Sequence, residues 1–526
     1  MMQIWLPTWM MILMVCSALW CLSAPVSAQL TDITQTPNPL NAGIQKSLEQ
    51  QVGADPNGGD INTPDTSRFI IARDPFRAIR RGRQLFQRKF TVAQGFGPRI
   101  SDGIGDIATI NALGHGLMDS CAGCHANPRG SAGSGGAIIF TRPDHRKSPH
   151  LFGVGLKEML ADEITDDLRT IQANAISQAQ SQGHAVTLPL QSKGINYGSI
   201  TAFPNGPVDT SQVQGVNPDL RVRPFFADGR RFSLRELTVV AVRDTMGLQA
   251  QDRVTTMAAD GATVMTPSGL VLDGSMDAIV GPPPADPADP RRITESLVDF
   301  FEFYLLHYFK PGTYEQTQTT SAGLRVMKDI GCTTCHIQNL QIDNDRRVAD
   351  VETVYDRTRG IFNNLFATAT GFFTTITDNP ALPPRKAPQL GSFLVRNIFT
   401  DLKRHDLGPR FHERNFNGTI TTQFMTLPLW GVGNTPPYGH DGRSINLREV
   451  IERHGGEAQA QRDAFINLDE NKRDALLKFL DSLIIFPPDD TASNLDAGNP
   501  NAPEFPQNGH GSIALSVLFN NPSDPE

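Results

Sequence analysis

The chain has 526 residues, 39% of them hydrophobic, enough for two or three domains around a large buried core. Its formal net charge of −8, with no basic run able to neutralise phosphates, excludes a nucleic-acid partner.

Residues 1–28 read as an export signal, an apolar stretch from Met10 to Leu22 followed by Val26-Ser27-Ala28 as a small-residue cleavage site. No Lys or Arg precedes the apolar stretch, so an uncleaved membrane anchor stays open as the alternative. Cleavage would remove Cys16 and Cys21 and leave four cysteines, as expected of a periplasmic or secreted protein. Residues 29–74 are polar and read as an arm that wraps the surface or lacks fixed structure. Ordered structure is expected from Pro75–Phe86, where Phe76, Ile79, Leu85 and Phe86 are spaced as on a half-buried helix. The glycine-rich run Gly95–Gly116 reads as a loop leading into the first motif.

That motif is Cys121-Ala122-Gly123-Cys124-His125, and it recurs as Cys332-Thr333-Thr334-Cys335-His336. Two thiols separated by two residues can reach the two vinyl groups of one haem, and the adjoining imidazole can bind its iron. A zinc site would bring two such pairs within about 15–20 residues; these begin 211 residues apart. Local redox disulfides would need neither histidine. The expectation is therefore two covalently bound haem c groups, with His125 and His336 as iron ligands.

Downstream, each half carries a similar turn. Phe225-Phe226-Ala227-Asp228-Gly229-Arg230 precedes Leu234-Arg235-Glu236, and Tyr438-Gly439-His440-Asp441-Gly442-Arg443 precedes Leu447-Arg448-Glu449. Each half closes on a helix, predicted over Ile293–Phe309 and Asp469–Ile485 with Asp469 as N-cap. The segment Gln249–Pro290 reads as a surface excursion, and Lys157–Arg169 as a solvated helix face. The predicted fold is mainly α: two tandem cytochrome c-like haem domains related by internal duplication, with long loops. The expected boundaries are 75–310 and 311–486, with an extended tail over 487–526.

The run from Pro428 to Arg443, the later His454-Gly455-Gly456-Glu457, Asp401–Gly408 and Phe226–Arg230 together resemble the diheme cytochrome c peroxidase and MauG superfamily. They are most similar to its di-haem oxidoreductase branch, across roughly residues 75–486. The resemblance implies an enzyme in which the C-terminal haem relays electrons to an N-terminal haem that meets peroxide or another small-molecule oxidant. A small redox protein would serve as electron donor or acceptor. His454 stands where the family places the sixth ligand of the C-terminal haem. For the N-terminal haem, His145 and His150 are candidate ligands or acid/base groups, and Met246 reads as core packing. His115 reads as a loop or propionate contact.

The resemblance has departures. Ala227 replaces the tryptophan placed between the haems, and Thr245 replaces a glutamate, leaving Asp244, His145 or His405 to move the peroxide proton. Lys147 stands where a calcium ligand is expected, so calcium is not expected. Arg230 and Arg443 are candidates for haem propionates, and His440 for a hydrogen bond near the haems. Two other readings remain open: a diheme oxygenase acting on a hydrocarbon, and an electron-transfer cytochrome with both irons closed.

Overall fold

A computed structural model describes residues 29–30, 51–88, 90, 120–125, 132–135, 137–138, 146–246, 248–282, 292–308, 317–355, 365–415 and 417–483. The expected signal segment, the Gly95–Gly116 loop with His115, His145 and the tail over 487–526 lie outside the described residues.

Ordered structure begins earlier than the composition suggests. Helix α1 (Ser67–Arg73) is N-capped by Thr66 and buries Phe69, Ile70 and Ile71, so from residue 51 the arm is part of the body. Arg73 fixes it there by donating to Asp378 at 2.9 Å and to the Pro383 carbonyl. Helix α2 (Pro75–Gln87) follows directly, with Pro75 in its first turn and Asp74 accepting from the Arg77 amide.

The longest helix, α3 (Val154–Gln182), ends on Gly183 in the left-handed region and leads into a hairpin, Val186–Ser192 with Ile195–Ala202. Lys193 and Gly194 both have positive φ in its two-residue turn, which suits the right-handed twist of the strands. Helix α4 (Leu234–Asp244) is N-capped by Ser233. The all-round apolar helix α5 (Glu295–His307) is buried along its whole length, as its composition predicts. Beyond it, α6 (Gln318–Asp329) leads into the second thiol pair, α7 (Leu447–Arg453) runs to His454, and α8 (Glu470–Asp481) starts at its predicted cap Asp469.

Glycines bring three helix pairs into backbone contact, and Gly155 of α3 lies where a Cβ would come within 2.1 Å of the Leu306 carbonyl oxygen of α5. Gly82 of α2 lies where a Cβ would come within 2.2 Å of the Phe300 carbonyl oxygen of α5, and Gly323 of α6 where one would come within 2.0 Å of the Ala475 oxygen of α8. The glycines let the backbones touch.

The described chain is mixed α/β rather than mainly α. Where long loops were expected, the chain pairs into sheets of two or three strands, the longest hairpin joining Ala349–Tyr355 to Leu365–Gly371. The segment Gln249–Pro290 also differs from the expected surface excursion: as far as Pro282 it holds a helix (Arg253–Ala259) and a hairpin over a small core of Val254, Ala258, Leu270 and Leu272 against Phe232. The main core does not stop at residue 310, since Leu340, Val351, Ile398 and Trp430 pack into it, while a second core gathers α6 and α8 around Phe399 and Phe465.

The two Asp-Gly-Arg turns are alike in detail. Each is closed by one isolated bridge, Phe225 to Arg231 and Tyr438 to Ser444, and each glycine has φ near +60° (62° at Gly229, 63° at Gly442). Each aspartate lies 3.6 Å from its arginine, and each turn runs into a helix capped by a polar side chain, Ser233 or Asn446.

Candidate haem-binding site

Both Cys-x-x-Cys-His motifs open onto one cavity of about 1150 Å³, larger than the roughly 300–1,000 Å³ usual for a single ligand. At the first, Ser120 accepts from the Gly123 amide and starts a single helical turn, and the His125 amide closes it on the Cys121 carbonyl. At the second, Gly331 with φ of 81° admits a 3-10 turn over Cys332–Thr334, and the His336 amide again bonds the first cysteine's carbonyl, at 3.1 Å. These turns place both thiols and the imidazole of each motif on the cavity wall. Burial pushes the thiols up, Cys121 to about 12 and Cys124 and Cys332 to about 11, so they are neutral.

The histidines are held in the same way. His125 Nδ1 lies 2.8 Å from the Pro149 carbonyl oxygen and His336 Nδ1 lies 3.0 Å from that of Phe399. A carbonyl only accepts, so Nδ1 carries the proton in each ring and Nε2 keeps its lone pair for a metal. Burial lowers both rings' pKa and keeps them neutral. His454 repeats the pattern. Its Nδ1 donates to the Val450 carbonyl at 2.7 Å, its ring meets Phe411 edge-on, and burial with His336 nearby brings it down to about 4. The donor set and the space therefore fit two haems: two thiol pairs, and three imidazoles whose Nε2 makes no hydrogen bond among the described residues.

The other candidates divide. His405 is close to the second motif and not to the first. It bridges Asp401 (2.8 Å) and Glu457 (2.7 Å), and although burial opposes protonation, its bonds to Asp401 and Cys335 raise it to about 11. Cys335, Asp401 and His405 are close enough to hold a metal ion, but the thiol belongs to the haem motif. His440 stacks on Phe424 at 3.8 Å and lies 3.2 Å from Glu413, a hydrogen-bonding place on the cavity wall. Asp244 reaches the cavity but is 40% exposed and paired with Arg243. Arg230 lines the cavity; Arg443, 62% exposed beside Asp441, is not among the described lining residues. Met246 is buried with its sulfur 4.0 Å from Cys121 Sγ. Lys147 fills its site with its own charge, its ammonium donating to the Thr435 carbonyl over the Tyr438 ring.

His150 is tied down rather than free to ligate through Nε2, which donates to the Trp430 carbonyl at 2.7 Å and leaves Nδ1 buried. Trp430 lines the cavity, its ring against Gly153. Its neighbour Leu429 donates through its amide to Ile398, next to the Phe399 that holds His336. A continuous series of hydrogen bonds and short main-chain steps thus joins the histidines of the two motifs. The sequence reading also missed Lys157, which it placed in solvent: Lys157 is 9% exposed and lines the cavity.

Residues 299–483 match the family model described as "Di-haem oxidoreductase, putative peroxidase". The match takes in the second motif, the cavity wall around it and α6 to α8, and supports a two-haem oxidoreductase over that stretch. No curated sequence matches the chain. Among solved structures, Kuenenia stuttgartiensis hydrazine synthase pressurised with 20 bar xenon aligns over 82% of this chain and 96% of its own, at 12% identity and a TM-score of 0.32.

Proposed function

We propose that the chain is an exported two-haem oxidoreductase of peroxidase type. One haem is held covalently by Cys121 and Cys124 with His125 as ligand, and the other by Cys332 and Cys335 with His336. His454 would hold the second haem together with His336, and that haem would relay electrons. The first haem, held by Cys121, Cys124 and His125, would supply the chemistry that reduces a small oxidant with electrons from a small redox protein. The two halves descend from one duplicated unit, which the matched Asp-Gly-Arg turns and the matched glycine contacts of α2 with α5 and α6 with α8 support.

The observation that carries this reading is the shared anchoring of His125, His336 and His454, each with Nδ1 on a main-chain carbonyl and Nε2 spare. The haems supply the redox chemistry. The chain's part is to hold neutral imidazoles in place, to bury the iron sites, and to give Asp244 as the carboxylate facing the first motif's part of the cavity.

Pyridine haemochrome analysis is expected to find two haems per chain that acid acetone cannot extract. Carbon monoxide added to the reduced protein is expected to shift the Soret band of one haem; no shift in either would sink the enzyme reading. Low-temperature EPR of His454→Met is expected to lose one low-spin signal of the wild type. An unaltered spectrum would remove His454 from the iron.

A further inference from the structure

Lys157 lies in the first turn of α3, a place that normally carries an acidic residue or a capping side chain. Gly153 caps this helix with φ of 70° and no side-chain hydrogen bond, and the first turn has no acidic residue. A 29-residue helix thus presents its positive end, with an ammonium added to it, and residues 150–154 and 157 around it all line the cavity except Gly153. The ammonium has no carboxylate or hydrogen-bond acceptor among the described residues. Its described neighbour is the ring of Phe225, 5.5 Å away. The next residue, Phe226, holds φ of 62° and carries Arg230 over its ring at 4.4 Å. Two consecutive phenylalanines each support a cation facing the cavity, and only Arg230 has a carboxylate close by, Asp228.

A buried ammonium without a counter-charge is unfavourable. Filling the cavity removes the remaining water around it, and an anion brought in with the filling group would keep the ammonium charged where burial pulls Lys157 down to about 8. We propose that Lys157 and the uncapped start of α3 form a carboxylate-binding site in the first motif's part of the cavity. The carboxylate comes either from a haem propionate or from a soluble carboxylate. This goes beyond the redox reading, and only the first source depends on it.

The holoproteins of wild type, Lys157→Met and Lys157→Arg separate the cases, with sodium acetate as probe. Saturable acetate binding by calorimetry, lost in Lys157→Met and kept in Lys157→Arg, assigns the site to a soluble carboxylate. No acetate binding, with the midpoint potential of one haem lower in Lys157→Met than in Lys157→Arg, assigns it to a propionate. The sign follows because removing a cation leaves the carboxylate uncompensated and disfavours the added electron. Methionine suits the apolar wall, so the variant is expected to fold. Two haems per chain in all three proteins, with neither acetate binding nor a potential difference, overturns the inference. Acetate binding in a protein without haem would instead leave this site standing and remove the redox function.

Discussion

At the residue scale, the parts legible in advance were those whose chemistry is local. Two thiols and a histidine within five residues specify their own turn, so both motifs could be read without knowing the fold. Lys157 and Glu158 could not, because the burial of a charged residue in a helix's first turn depends on what arrives from elsewhere. Glu158 is the sharper case. It accepts from the Leu234 amide at 2.8 Å and from Arg346 at 2.9 Å, and burial pushes its carboxyl up to about 7 despite Arg346. A carboxyl raised in the folded state stabilises below its unfolded value near 4.5, and that contribution is lost as pH rises through 7. Glu158→Gln keeps an acceptor for Leu234 and does not ionise. Chemical denaturation between pH 4.5 and 7.5 is expected to show wild type losing on the order of 1–3 kcal/mol relative to this variant.

At the element scale, helices α2, α5 and α8 were legible from their periodicity, and α1, the Arg253–Ala259 helix and the short strands were not. Lys193-Gly194 is the whole signal for one hairpin, and pairing in the others depends on partners distant in sequence, such as Leu340–Ile342 with Phe393–Val395. The helix contacts were equally hidden, since a glycine inside a helical pattern does not say what will touch it. Gly323→Ala is expected to destabilise by roughly 1–3 kcal/mol or more, because the Ala475 carbonyl belongs to a rigid helix and cannot yield as a side chain would. Thermal unfolding would read it, and an unchanged midpoint would mean that α6 and α8 are less closely packed. The same scale explains Arg235, fully buried in α4 and bonded to Asp252, Asp299 and Glu302. It joins α4, α5 and the segment that looked like a surface excursion. Arg235→Leu leaves three carboxylates facing one another and is expected to cost about 3–5 kcal/mol in denaturation.

At the scale of the whole molecule, two motifs far apart in sequence share one cavity because the residue 395–430 stretch of the second half crosses into the first half's core. Trp430 illustrates what sequence could not settle: its place follows from no motif spacing, and the fold sets it on the wall common to both motifs. The tryptophan expected from the family is Ala227, so no indole stands there. A bonded series runs instead from the His336 ring through Phe399, Ile398, Leu429 and Trp430 to the His150 side chain, and on through Pro149 to the His125 ring. Between the two end rings, His150 is its one side-chain link. His150→Phe keeps an aromatic ring against Phe152 and breaks the circuit, so a single electron placed on the protein by limiting dithionite is expected to redistribute between the two sites more slowly, as read by stopped-flow absorbance. An unchanged rate would mean that current flows elsewhere. On the proposed function, the residues that orient the motif histidines would also set how fast one site recharges the other.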